Sequence, residues 1–148
     1  MQTRLNSEEE TCAYASNLAS SLKSGNIVAL QGELGAGKSV FARALMRALG
    51  VQDEAMPSPT FTLIQTYEGE GCRLAHMDWY RLEDADDIDM LGVHEYFIAP
   101  WISIIEWPER APGLLPAGSI YIKLECVENN PDVRLVRQGS WRSINNDG

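Results

Sequence analysis

The octet Gly32-Glu33-Leu34-Gly35-Ala36-Gly37-Lys38-Ser39 matches G-x-x-x-x-G-K-[ST] at every fixed position, and no other feature constrains the surrounding chain as strongly. Backbone without a Cβ can curl around a phosphate and aim successive N–H groups inward. A helix that starts at the end of the loop then presents its positive terminus to the same anion. This chemistry requires a strand before the loop and a helix after it. Ile27 to Leu30 is a short apolar run suited to a buried strand, and Phe41, Ala44, Leu45, Ala48 and Leu49 recur at helical spacing until Gly50. By chance such a match arises less than about one time in a hundred in a chain this short. The flanking pattern also separates it from a glycine turn that carries an exposed lysine. In this reading Lys38 reaches the β- and γ-phosphates of a nucleoside triphosphate and the Ser39 hydroxyl binds Mg²⁺.

The rest of the chain supplies a sheet for that unit. Ser7 followed by Glu10 reads as a capping box, and Thr11, Ala15, Leu18, Ala19 and Leu22 predict a first helix that Gly25 stops. Pro57 and Pro59 exclude a regular helix over Met56 to Thr60 and hold an extended loop. Phe61 to Tyr67 and Arg73 to Met77 flank Gly69 and Gly71 as a hairpin, and Asp84 to Leu91 is a short helix closed by Gly92. Trp101 to Ile105 forms another buried strand. Ile120, Ile122 and Leu124, then Val133 and Leu135, alternate as two late strands. The 148 residues suffice for one core. The expected fold is a single small α/β domain of the P-loop NTPase type, a mixed sheet flanked by helices, over residues 1–138. A polar tail is expected over 139–148.

Charge narrows the function. With 21 acidic and 12 basic residues, net −9, the chain is ill suited to grip nucleic acid unaided, because that affinity comes mainly from Lys and Arg on phosphates. Yet the imbalance is local. From Leu82 to Glu109 there is no Lys or Arg, while Glu83, Asp84, Asp86, Asp87, Asp89, Glu95, Glu106 and Glu109 are acidic, leaving thirteen acids against twelve bases elsewhere. No apolar run is long enough for a membrane span, and Met1 to Glu10 lacks the apolar stretch of a secretion signal. Cys12, Cys72 and Cys126 are far apart and odd in number, which fits reduced thiols filling the core of a cytoplasmic protein.

A phosphate loop leaves the reaction open, since hydrolysis also needs a carboxylate for the metal and a group that places water. Asp78 ends Leu74-Ala75-His76-Met77 and Glu106 ends Ile102-Ser103-Ile104-Ile105. The carboxyl ends of parallel strands are where an α/β sheet delivers groups to a nucleotide.

Four stretches in order, Gly32 to Ser39, then Ser58-Pro59-Thr60-Phe61, then His76-Met77-Asp78-Trp79-Tyr80-Arg81-Leu82, then Glu106-Trp107-Pro108-Glu109, resemble the successive motifs of the TsaE (YjeE) family, ATPases of bacterial tRNA threonylcarbamoyladenosine biosynthesis. The resemblance spans Gly32 to Glu109. It implies a small cytoplasmic P-loop protein that binds ATP and Mg²⁺, hydrolyses ATP slowly alone, and works with TsaB and TsaD. TsaD transfers the threonylcarbamoyl group to an adenosine beside the anticodon, and TsaC makes the intermediate, so tRNA is met only through the complex. By position, the resemblance implies that Gly32, Glu33, Leu34, Gly35, Ala36, Gly37, Lys38 and Ser39 bind ATP. It likewise makes Thr60 a γ-phosphate sensor, Asp78 the catalytic or water-positioning carboxylate, and Glu106 the metal-shell acid beside Ser39. Trp107 either contacts the nucleotide or packs on the strand end. Arg81 is either a phosphate-side cation or a partner for neighbouring acids, and His76 reads as a strand residue with a satisfied hydrogen bond. Glu33 stands where the family often has Asp, and Ser39 where it often has Thr, which keeps the hydroxyl. Beyond Glu109 no functional residue is assigned.

Two other classes compete with a partner-dependent ATPase: a P-loop small-molecule kinase, and a nucleotide-gated binding module without functional turnover. A kinase lid would bring arginines over the phosphates, and none lies between Arg81 and Arg110. A GTPase is disfavoured because Asn129-Asn130-Pro131-Asp132 is no N-K-x-D motif, and Asp89-Met90-Leu91-Gly92 lies in the acidic helix rather than at a strand end. The acidic segment Glu83 to Asp89 is either an ordinary solvated helix face with surface loops or a face that docks on a basic, tRNA-facing surface of the partner complex.

Overall fold

Parallel pairing around one central strand organises the molecule. The computed structural model describes residues 1–60 and 62–141. In chain order the elements are β1 (Gln2–Leu5), α1 (Glu8–Ala19), β2 (Ile27–Gln31), α2 (Lys38–Ala48), β3 (Ile64–Glu68) and β4 (Arg73–Asp78). They continue with α3 (Ala85–Asp89), β5 (Trp101–Glu106), β6 (Ile120–Val127) and β7 (Asn130–Ser140). Among the described residues, seven strands form one sheet in the order β1-β7-β6-β2-β5-β4-β3. The pairs β2–β5, β2–β6 and β4–β5 are parallel, while β1–β7, β6–β7 and β3–β4 are antiparallel. This is the mixed α/β sheet expected from the sequence.

The inner strands are apolar on both faces because each face has its own core. Val28 and Leu30 of β2, Ile102 and Ile104 of β5, and Ile122 and Leu124 of β6 pack toward α1 and α2 with Phe41 and Leu45. Ile27, Ala29, Met77, Ile105 and Tyr121 point to the opposite face, against Trp79, Ile88, Val93 and Phe97. Burial on both sides is why these strands read as continuous apolar runs rather than as alternation.

Local chemistry sets the ends. Ser7 caps α1 by accepting from Glu10 N–H at 3.1 Å, but the Glu10 carboxylate accepts from Asn6 N–H at 2.8 Å rather than from the cap residue. The helix stops at Ala19, earlier than the apolar spacing to Leu22 suggests, and turns follow to Gly25 at φ +95°. The hairpin forms, with β3 starting at Ile64 after Leu63 at φ +69°; Phe61 lies outside the described residues.

Two boundaries need correction. Residues Gln2–Leu5, polar except for buried Leu5, form an edge strand on β7 that periodicity does not reveal. The polar tail expected from Gly139 does not begin there. β7 runs through Ser140, and Trp141 is buried, its indole Nε1–H donating to Pro112 O at 3.1 Å. The rest of the expected tail, 142–148, lies outside the described residues. The cysteines are free, as expected, but Cys126 is exposed and is not core filler.

Candidate functional site

Register brings the two sequence-predicted carboxylates together. Glu106 of β5 pairs with Asp78 of β4 on one side and with Leu30 of β2 on the other, so both acids stand at the strand ends from which Gly32 begins its loop. Lys38 and Ser39 then open α2. Gly35 and Gly37 sit at φ +84° and +96°, a region L side chains rarely adopt. Gly32 is needed for close approach, because a Cβ there would stand 2.9 Å from Leu124 O.

Lys38 is buried at 6% exposure and folded back, its ammonium donating to Gly32 O and lying 3.8 Å from the Trp107 ring centroid. Burial pulls this ammonium below the usual lysine value, against the opposing pull of Glu106, Glu109 and Asp78. Trp107 takes a left-handed turn at φ +59° immediately after β5, and its ring packs 4.7 Å from that of Tyr80. In this structure it packs beside the strand end on Tyr80 and lies against the loop lysine.

Asp78 is 4% exposed and accepts two hydrogen bonds, from Tyr80 N–H at 2.9 Å and from the Thr60 hydroxyl at 3.2 Å. Burial pushes its carboxyl above the usual aspartate value, assisted by Glu106 and opposed by those hydrogen bonds and by Lys38. Thr60 is also 2.8 Å from the Ser58 hydroxyl, which ties the proline-flanked loop to the acid. Glu106, 3% exposed, meets His76 Nε2 at 2.7 Å. One ring nitrogen of His76 therefore has the partner expected for a strand histidine, while Nδ1 has none among the described residues.

An open cleft of about 340 Å³ gathers Lys38, Ser39, Thr60, Asp78, Glu106 and Trp107. Leu34, Gly35 and Gly37 border it too. Gly32, Glu33 and Ala36 face a different hollow, beside Lys123 and Cys126. Arg81 is exposed. One residue of the cleft wall, Arg134, lies beyond the last motif and was not assigned from sequence. Among the described residues, no three His, Cys, Asp or Glu side chains could together hold a metal ion. No helix among them is long and apolar enough to cross a membrane.

Comparison with known proteins places this geometry among relatives. The family model described as "Threonylcarbamoyl adenosine biosynthesis protein TsaE" matches residues 5–136. A tRNA threonylcarbamoyladenosine biosynthesis protein TsaE from Rickettsia bellii is 39% identical over 129 residues, covering 87% of this chain and 89% of that one. The protein of the same name from Aquifex aeolicus is 38% identical over 136 residues, covering 90% and 94%. Among solved structures, Bacillus subtilis YdiB superposes with a TM-score of 0.76 at 30% identity, covering 92% of this chain and 82% of that one.

Proposed function

The chain belongs to the TsaE family of tRNA threonylcarbamoyladenosine biosynthesis, and from that premise we propose that it is a cytoplasmic, Mg²⁺-dependent ATPase acting with TsaB and TsaD to modify tRNA beside the anticodon. The observation that carries the reading is the convergence of Lys38, Ser39, Thr60, Asp78 and Glu106 on one cleft at the mouth of the glycine loop. The residues present fit the ligand. Two left-handed glycines and a crowded third make the loop a backbone cradle, and the donor set suits a magnesium bound mostly by phosphate and water.

When bound, Mg·ATP supplies a terminal phosphoryl group for transfer to water. Lys38 would hold the β- and γ-phosphates after releasing Gly32 O and the Trp107 ring, and Ser39 with Glu106 would hold the metal. Burial makes Asp78 a stronger base than a solvated aspartate, which suits a group that orients water and accepts its proton. Thr60 is tied to Asp78 by its hydroxyl, so movement of Thr60 toward the γ-phosphate would release that acid's Oδ2. His76 holds Glu106 from behind.

The test is turnover by the purified chain. ADP production with water as the only acceptor, raised by TsaB and TsaD and lost in Lys38→Ala, is the expected result. Strict dependence on a small hydroxyl acceptor would make it a kinase instead. Full tRNA modification by a variant that binds ATP but does not hydrolyse it would reduce it to a nucleotide-gated binding module.

A further inference from the structure

All three guanidinium nitrogens of Arg134 in β7 donate to main-chain carbonyls. Nε donates to Ala36 O at 2.8 Å and Nη2 to Gly35 O at 3.3 Å, both inside the glycine loop. Nη1 donates to Pro131 O at 2.7 Å and Val133 O at 2.9 Å in its own hairpin. The backbone that carries it is itself clamped, since Arg134 pairs with Cys126 of β6 and with Leu5 of β1. Among the described residues it forms no ion pair with a carboxylate, so its charge is left at the cleft wall it lines.

This geometry bears on the loop's weakest property. Gly35 and Gly37 give it the left-handed turns it needs but also the greatest conformational freedom to lose. In a trans peptide the carbonyl and the following N–H point to opposite sides. Holding the Ala36 carbonyl toward β7 therefore turns the Gly37 N–H away from it. An arginine can do this at two adjacent carbonyls because its donors form a rigid fork, whereas an ammonium offers a single point of attachment.

We propose that Arg134 is the positioning residue of the Gly32–Ser39 loop: by tying the Gly35 and Ala36 carbonyls to the β6–β7 hairpin, it fixes a loop already closed by Ala36 N–H on Glu33 O and keeps the Gly37 N–H turned to receive a phosphate anion. The identity of that anion as a nucleotide rests on the function proposed above, but the ordering itself does not.

The experiment compares the full chain with Arg134→Ala and Arg134→Lys. Amide hydrogen exchange at Ala36, Gly37 and Lys38, followed without nucleotide, should quicken by about tenfold or more in Arg134→Ala while the interior of β2 stays protected. ADP affinity by calorimetry should fall by about tenfold, with Arg134→Lys in between, and KM for ATP should rise by more than kcat falls. A lowered melting temperature with loop exchange and ADP affinity both within about twofold of the parent chain would overturn the proposal, because that is the signature of a brace with no bearing on the anion site. If the parent chain binds no nucleotide, the proposed function falls and loop exchange alone decides the role of Arg134. Should Arg134→Ala fail to fold, the same readouts on Arg134→Lys decide it.

Discussion

Asp78 and Glu106 are register partners on adjacent parallel strands, both almost fully buried at the mouth of one cleft, yet they are held by different partners. Asp78 is held by a loop hydroxyl and a backbone N–H, and Glu106 by a histidine. The difference suits their proposed tasks: the acid tied to the loop threonine would handle water, and the acid held by His76 would handle metal. Asp78→Asn and Glu106→Gln should each keep ADP affinity within about threefold while kcat falls by about a hundredfold or more, the usual worth of a positioned base or metal acid. Steady-state turnover and calorimetry on the same preparations check this. Undiminished kcat in Asp78→Asn would remove it from the chemistry.

The burial of Asp78 has a cost that pH exposes. A carboxyl whose folded value lies above its unfolded value of about 3.9 binds its proton more tightly when folded. The folded state is then penalised as pH rises through and beyond that range, and the penalty vanishes where both states are protonated. Asp78→Asn keeps an oxygen to accept from Tyr80 N–H and turns an amide donor toward the Thr60 hydroxyl, which can accept in its turn, but carries no charge. Its melting temperature should exceed that of the parent chain by about 3 °C or more near pH 7, with the gap closing below about pH 4. A gap that is constant across this range would mean the effect has nothing to do with ionisation.

What the sequence made legible is what depends on local pattern. Glycines around a lysine specify a loop between strand and helix whatever the rest of the fold does, and apolar runs ending in Asp78 and Glu106 place those acids at strand ends. Arg134 leaves no comparable trace, because its partners are carbonyls of Gly35 and Ala36, nearly a hundred residues away, and any residue type supplies a carbonyl. The same holds for Gln2–Leu5, joined to β7 through backbone pairing with only Leu5 buried. Trp141 escapes for a different reason: polar neighbours mask a single aromatic that docks against Tyr121 and Pro112.

Trp107 provides a signal for ligand binding. Its ring lies 3.8 Å from the Lys38 ammonium, and a phosphate that draws Lys38 away removes a cation from the indole face. Addition of ADP or ATP should change tryptophan emission in the parent chain. The change should be lost in Trp107→Phe, although Trp79, Trp101 and Trp141 remain. Binding measured by calorimetry should persist in that variant with at most about a tenfold loss. An emission change that survives Trp107→Phe would assign the signal elsewhere and leave Lys38 where it is.

The acidic segment is organised so that its charge faces outward. Ile88 is fully buried and anchors α3, Asp84 caps the helix by accepting from Asp87 N–H at 3.0 Å, and Asp84, Asp86, Asp87 and Asp89 are all exposed. Asp84 therefore has a structural duty and stays in place in a test of docking, while Asp87, whose carboxylate accepts from Glu83 N–H at 3.3 Å, needs a control that keeps an acceptor there. Reversing Asp86 and Asp87 to Lys also places cations at a helix start, at about 0.3–1 kcal/mol each, so Asp86→Asn with Asp87→Asn serves as the control for that cost. If this face meets a basic, tRNA-facing surface of a TsaB–TsaD complex, the reversed protein should bind that complex about tenfold more weakly at low ionic strength, and the two proteins should converge as salt shortens the reach of charge. Competition should follow the same order, with tRNA displacing the reversed protein at lower concentration than the parent. Equal affinity at low salt would return Glu83 to Asp89 to an ordinary solvated helix face, with the reading of the cleft around Lys38 unaffected.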